Sequence, residues 1–234
     1  MKHLYKLLIT FLIILTVFSA CTTNSGKDRV EFIVNHNSPQ ISVGEIELQF
    51  TALLGMGGLR KQTVNVLYYP AEDAVCLLYR QDFMNYQQFW SRSGRQGFIN
   101  ALQKYNEDYE ARSLERRGGR NAARKYGTVR GYLIWQQFSI AVRARANMNV
   151  ELGYAFKERV PYFTVSQREA EYKDAVTRDN DRTSQNITMY FTRAQAAELA
   201  VLFEQHYLNE LISRNADSVH PLETTDIDID YYYE

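Results

Sequence analysis

Ile187-Thr188-Met189-Tyr190-Phe191-Thr192-Arg193-Ala194-Gln195 is the stretch whose reading decides the fold. Ile187 to Phe191 is apolar and aromatic, the composition of a half-buried strand. Thr192 and Gln195 then stand at the T-x-x-Q spacing of a capping box, in which each side chain satisfies a backbone N–H that a helix start leaves open. From there residues 193–213 are rich in Ala, Leu and Glu, and Ala197, Ala200, Val201, Leu208, Leu211 and Ile212 give a broad apolar face. A strand therefore passes into a long helix at one hydroxyl residue.

The same switch occurs earlier. Displaced by 101 residues, Asn85-Tyr86-Gln87-Gln88-Phe89-Trp90-Ser91-Arg92 lies over Asn186 to Arg193, with Phe98 over Leu199 and Leu102 over Phe203. Phe98, Leu102, Tyr105 and Tyr109 recur at steps of four, three and four, so a helix starts near Ser91 with one apolar face. Ser91 or Ser93 caps it, and it frays in Arg116-Arg117-Gly118-Gly119. Fixed-period self-similarity is the signature of an internal repeat, here strand-strand-strand-helix used twice.

Outside these switches the pattern is extended. Ile46 to Phe50 alternates strictly, and Thr63 to Tyr69, residues 74–80, Thr128 to Phe138, Met148 to Phe156 and Pro161 to Val165 read as further strands. Pro70-Ala71-Glu72-Asp73 is a turn, and residues 167–176 suit a brief helix. Seventeen tyrosines and 12 phenylalanines load these runs. The fold class that follows is α+β: an antiparallel sheet of roughly six to eight strands with two long amphipathic helices covering one face. The domain spans residues 30–216, with halves 30–117 and 126–216, and residues 217–234 form an acidic, tyrosine-rich tail.

The first twenty residues follow another rule. Lys2, His3 and Lys6 precede an apolar run from Leu7 to Phe18, and Ser19 and Ala20 are small. This is the order of a secretory signal, with an apolar run shorter than the ~20 residues a membrane span needs. Phe18-Ser19-Ala20-Cys21 resembles the lipobox of bacterial lipoproteins, with Phe18 where an aliphatic residue is usual. The resemblance implies cleavage of residues 1–20, diacylation of the Cys21 thiol and acylation of the new amino terminus. It implies a cell-envelope location anchored in a lipid bilayer through Cys21. Thr22, in place of a retention aspartate, points to the outer membrane. Residues 21–29 form a polar tether; about eight flexible residues reach roughly 16 Å.

Charge and chemistry then narrow the function. Without residues 1–20 the chain carries 25 basic and 27 acidic side chains, a formal charge of −2. That excludes a general nucleic-acid binder, which needs a basic surface. Cys76 is the second of two cysteines and lies in an apolar run, so it reads as a small buried hydrophobe. Gly55-Met56-Gly57-Gly58 opens no helix and cannot cradle phosphate at a helix N-terminus. His36, His206 and His220 are too dispersed for a zinc ligand set, and Asp226, Asp228 and Asp230 lack the glycine of a calcium loop. No cofactor is expected. The local charge run is stronger: Arg112, Arg116, Arg117, Arg120, Arg124, Lys125 and Arg130 stand against Glu115 alone. Such a run suits anionic lipid headgroups or an acidic envelope polymer. The expectation is a non-catalytic binding or surface-interaction protein; the alternative is a lipid-anchored hydrolase using carboxylates or His206.

Overall fold

The structure is a computed structural model that describes residues 34–35, 38–51, 58–114, 125–137, 143–172 and 182–215. The chain divides into two units, Met1–Glu31 and Phe32–Glu234, and every described residue belongs to the second. Cys21 and the tail from residue 216 onward lie outside the described residues.

Eight strands form the main sheet. These are β1 (Ile41–Thr51), β2 (Leu59–Tyr69), β3 (Ala74–Gln81), β4 (Met84–Trp90), β5 (Lys125–Gln137), β6 (Ala144–Lys157), β7 (Val160–Gln167) and β10 (Ile187–Phe191). A two-stranded ribbon, β8 (Glu171–Tyr172) with β9 (Arg182–Thr183), is inserted between β7 and β10. All pairs are antiparallel, and each strand of the main sheet lies beside its chain neighbours. β10 returns to β1 through Gln49↔Tyr190 and Phe50↔Met189, so the sheet closes into a barrel. The expected α+β class with an antiparallel sheet of six to eight strands is found; that the sheet closes into a barrel was not foreseen. Closure pairs both edges, which removes the unpaired backbone groups that an open sheet exposes.

Among the described residues the helices number three, not two: α1 (Arg92–Glu110), α2 (Arg193–Phe203) and α3 (Gln205–Asn215). Ser91 caps α1 by accepting from the Gly94 N–H, and Thr192 with Gln195 completes the capping box of α2. The expected single helix over 193–213 breaks at Glu204, whose backbone is extended. No Gly or Pro marks the break. Phe203 and Leu208 are both buried; at 3.6 residues per turn they would point roughly 140° apart on one continuous helix. The break re-phases the second helix so that both face inward. Over 167–172, where the start of a brief helix was expected, Gln167 ends β7, residues 168–170 have no regular structure and Glu171–Tyr172 is β8; residues 173–176 lie outside the described residues.

Each half of the barrel is four strands followed by a helix, β1 to β4 with α1 and β5, β6, β7 and β10 with α2. The sequence repeat had three strands per half. α1 packs on β5, β6 and α2, and α2 packs on β1. Gly97 permits this approach: a Cβ there would lie 2.4 Å from Val129 Cγ1. At the helix end of the barrel Phe98 sits within an aromatic cluster, its ring centroid 5.1 Å from Phe203, 5.4 Å from Phe163, 6.0 Å from Trp90 and 6.1 Å from Phe191.

The barrel interior is apolar apart from two buried glutamines: Gln167, whose Oε1 accepts from the Tyr79 hydroxyl at 2.8 Å, and Gln88. Gln88 faces inward between Leu77 and Leu133, is fully buried, and has no partner for either amide atom among the described residues. A buried polar group without a partner costs about 1–3 kcal/mol. Gln88→Met keeps the volume and removes the polar atoms, so it should stabilise the barrel by about 1 kcal/mol or more, read as a higher urea midpoint with an unchanged slope. An unchanged or lower midpoint would mean that Gln88 is hydrogen-bonded in solution.

Candidate functional site

Side chains alternate across a strand, so every second residue of β2, β3, β4 and β5 points outward. One outward rung is Asn65↔Leu78↔Gln87↔Ile134, and the next includes Arg80↔Asn85↔Gln136. These side chains, with Thr63 and Arg143, line a shallow trough of ≈ 420 Å³ on the outer wall of the barrel. Leu78 and Ile134 form an aliphatic floor. Gln62, Asn65, Asn85, Gln87 and Gln136 supply amides that both donate and accept. Arg80 and Arg143 supply positive charge, and no lining side chain is acidic. Arg143 Nε donates to Gln136 Oε1 at 3.3 Å, which holds that arginine over the trough. Gln87 Oε1 is buried without a partner among the described residues, an acceptor aimed at a donor that a ligand can bring.

Below the trough the same face turns apolar. Leu67, Tyr69, Ala74, Cys76, Phe89, Tyr132 and Ile134 pack with Val34 in a second cluster. Ser38 Oγ donates to Glu72 at 2.6 Å and Tyr69 donates to Gln40 Oε1, which fixes the entering chain to the β2–β3 turn. Cys76 is free and buried, as its apolar setting in the sequence implied, and burial pushes its thiol pKa well up. It is therefore no thiolate nucleophile near neutral pH.

A second hollow, of ≈ 430 Å³, lies at the C-terminal end of α1 and is lined by Tyr109, Glu110, Arg112, Leu114, Pro161 and Arg193. Its Arg193 is spent on neighbours: the guanidinium sits 4.4 Å from the Tyr109 ring centroid and 2.9 Å from Glu110 Oε1.

The basic run is only partly placed. Arg112 lines the second hollow with a left-handed backbone at φ 54°. Arg130 is exposed on the outer face of β5 and lines neither hollow. Lys125 opens β5, paired with Gly153 through the backbone. Arg116, Arg117, Arg120 and Arg124 lie outside the described residues. Arg112 and Arg130 are not brought into one site. His206 is exposed on α3, its Nδ1 3.0 Å from Glu204 Oε2, and it also lines neither hollow. Among the described residues no three His, Cys, Asp or Glu side chains converge as a metal site. Sequence reasoning passed over Arg80 and the amides because outward polar residues on a strand read as ordinary solvated positions, and it noted Arg143 only as a follower of the arginine run.

Comparison with curated proteins and with solved structures finds no match. A family model described as an uncharacterised Treponema protein matches residues 23–210, most of the chain. The chain belongs to this uncharacterised Treponema family.

Proposed function

We propose that this protein is an envelope lipoprotein, anchored through acylated Cys21, whose barrel binds rather than catalyses. The observation that supports binding is the trough. It is open, walled by amides and two arginines, and floored by aliphatic carbon. That set suits an anionic, hydroxyl-rich polymer of the cell envelope. Arginines pair with carboxylate or phosphate, amides exchange hydrogen bonds with hydroxyls, and the floor takes the apolar face of a sugar ring. Such a ligand would also give Gln87 Oε1 a donor. The anchor reading draws on the lipobox-like Phe18-Ser19-Ala20-Cys21, and the outer membrane is favoured by Thr22.

One experiment addresses both parts. Cells making the full chain are fed labelled palmitate, and the recovered protein is passed over an immobilised carboxylated polysaccharide. The wild type should carry label and be retained. Cys21→Ala should lose the label but stay retained. Arg80→Ala with Arg143→Ala should keep the label and elute about tenfold more readily, since a charge-assisted hydrogen bond contributes about 1.5–3 kcal/mol. Label persisting on Cys21→Ala would overturn the anchor. Equal retention of the arginine variant would overturn the trough.

A further inference from the structure

The C-terminal end of α1 closes with an arginine where glycine is usual. The Ser113 N–H donates to the Asp108 carbonyl at 2.9 Å, and the Arg112 N–H to the Tyr109 carbonyl at 3.1 Å. These two bonds make the Schellman closure of a helix, whose left-handed residue is most often glycine. Here that residue is Arg112, at φ 54°. The Cβ of an arginine crowds the backbone in this conformation, so the helix end loses stability by carrying a side chain there. Backbone strain of this kind gathers at binding sites and active sites.

Arg112 lines the hollow of ≈ 430 Å³ at this helix end, with Tyr109, Glu110, Leu114, Pro161 and Arg193. It is exposed, and its guanidinium has no partner among the described residues. The nearby acids are occupied. Glu110 accepts from Arg193 at 2.9 Å, Asp108 from Ser113 Oγ at 2.8 Å and from the Tyr126 hydroxyl at 2.9 Å, and Glu107 from Gln103 at 3.1 Å. Glu158, in the β6–β7 turn, does not line the hollow. Arg193 is held by Glu110, by Asn106 Oδ1 at 3.2 Å and by the Tyr109 ring. Among the described residues Arg112 is therefore the one charge of the lining without a counter-charge. The rest of the wall is carbon: Leu114, the exposed part of the Tyr109 ring, and the ring of Pro161, whose carbonyl accepts from the Tyr105 hydroxyl at 3.0 Å.

We propose that this hollow binds a carboxylate carried on an apolar body. The Arg112 guanidinium forks on the carboxylate, a bidentate match that fixes orientation as well as charge. Leu114, Pro161 and Tyr109 take the carbon. A monoanion fits better than a phosphate, because a second negative charge would face Glu110. The volume is that of a small-molecule site. The hollow shares no residue with the trough, and this reading depends neither on the trough nor on acylation of Cys21.

The test uses the full chain, isotopically labelled at its leucine methyls. It is titrated with phenylacetate, hexanoate and N-acetylphenylalanine, each beside its uncharged amide. At least one carboxylate should shift the Leu114 methyl signals saturably, and its amide should bind about tenfold or more weakly. The acid that binds best separates an aryl acid, an alkyl acid and a peptide end as the source. Arg112→Gly should also bind about tenfold or more weakly, while its urea midpoint is no lower than that of the wild type, because glycine suits the left-handed position. Arg80→Ala with Arg143→Ala should bind as the wild type does. No Leu114 shift up to about 10 mM of any of the three acids would overturn the proposal. So would amides that bind as well as their acids, or an Arg112→Gly chain that binds unchanged. A fall in its midpoint would overturn it too, by making Arg112 a brace of the helix end. Loss of binding in the Arg80/Arg143 variant would move the ligand to the trough and also overturn it.

Discussion

Phe98→Ala is expected to destabilise the barrel by about 3–5 kcal/mol, against the roughly 5–15 kcal/mol that a folded domain possesses. Phe98 is fully buried and is the one ring that touches α1's own entrance at Trp90, the barrel strands at Phe163 and Phe191, and the end of α2 at Phe203. Its removal leaves a void that four other large aromatic rings cannot fill, because each is held by its own backbone element. The loss is the transfer energy of the ring plus the cavity it leaves. Val201→Ala, on the solvent side of α2, should stay within about 0.5 kcal/mol. Urea unfolding measures both. A Phe98→Ala midpoint shift no larger than that of Val201→Ala would mean that the helices do not seal the barrel, and the packing described above would be wrong.

That cluster was half legible from the chain. Phe98 stands on the helix face read as apolar, and Trp90 and Phe191 precede the two hydroxyl caps; on α2, however, the face read from Ala197, Ala200 and Val201 is not the buried one, which is Ala196, Leu199 and Phe203, with Ala197 and Val201 exposed. Both caps form as their residues dictate: Ser91 accepts from Gly94 and Thr192 from Gln195. These are local events, decided within a few residues. Barrel closure is not. It depends on Phe50 meeting Met189, and no local pattern in β1 says which strand will lie beside it. The break at Glu204 was equally hidden, since residues 193–213 carry good helix formers throughout and only the shape of the core asks Phe203 and Leu208 to face the same way.

The candidate site fell further from view for a related reason. Asn65, Leu78, Gln87 and Ile134 come from four different strands and become one surface only through register. Alternation said that each points out; it could not say that they point out together. The arginine run from Arg112 to Arg130 had the opposite character, dense in sequence and dispersed in space at its two placed ends.

Asp73→Ala is the second large effect, about 3–5 kcal/mol, and it comes from charge rather than volume. Arg95 is 1% exposed, and its guanidinium reaches Asp73 Oδ1 at 2.7 Å, the Asp73 carbonyl at 2.7 Å and Gln205 Oε1 at 2.6 Å. One side chain thus ties α1 to the β2–β3 turn and to the start of α3. Removing the carboxylate leaves a buried cation without its counter-charge, the costly way to break an ion pair. Asp73 also holds a left-handed backbone at φ 46°, which aspartate and asparagine tolerate and alanine does not. Asp73→Asn keeps that backbone and an acceptor, so it should cost clearly less than Asp73→Ala. Arg95→Met removes the buried charge itself and leaves Asp73, whose side chain is 35% exposed, to water. The order of loss should therefore be Asp73→Ala, then Asp73→Asn, and Arg95→Met with Asp73→Asn should recover stability relative to Asp73→Ala. If Arg95→Met alone destabilises as much as Asp73→Ala, Arg95 acts as a packing strut and its charge contributes nothing. Thermal unfolding of the four variants at low and high salt decides between the two, because a buried pair is screened far less than a surface one.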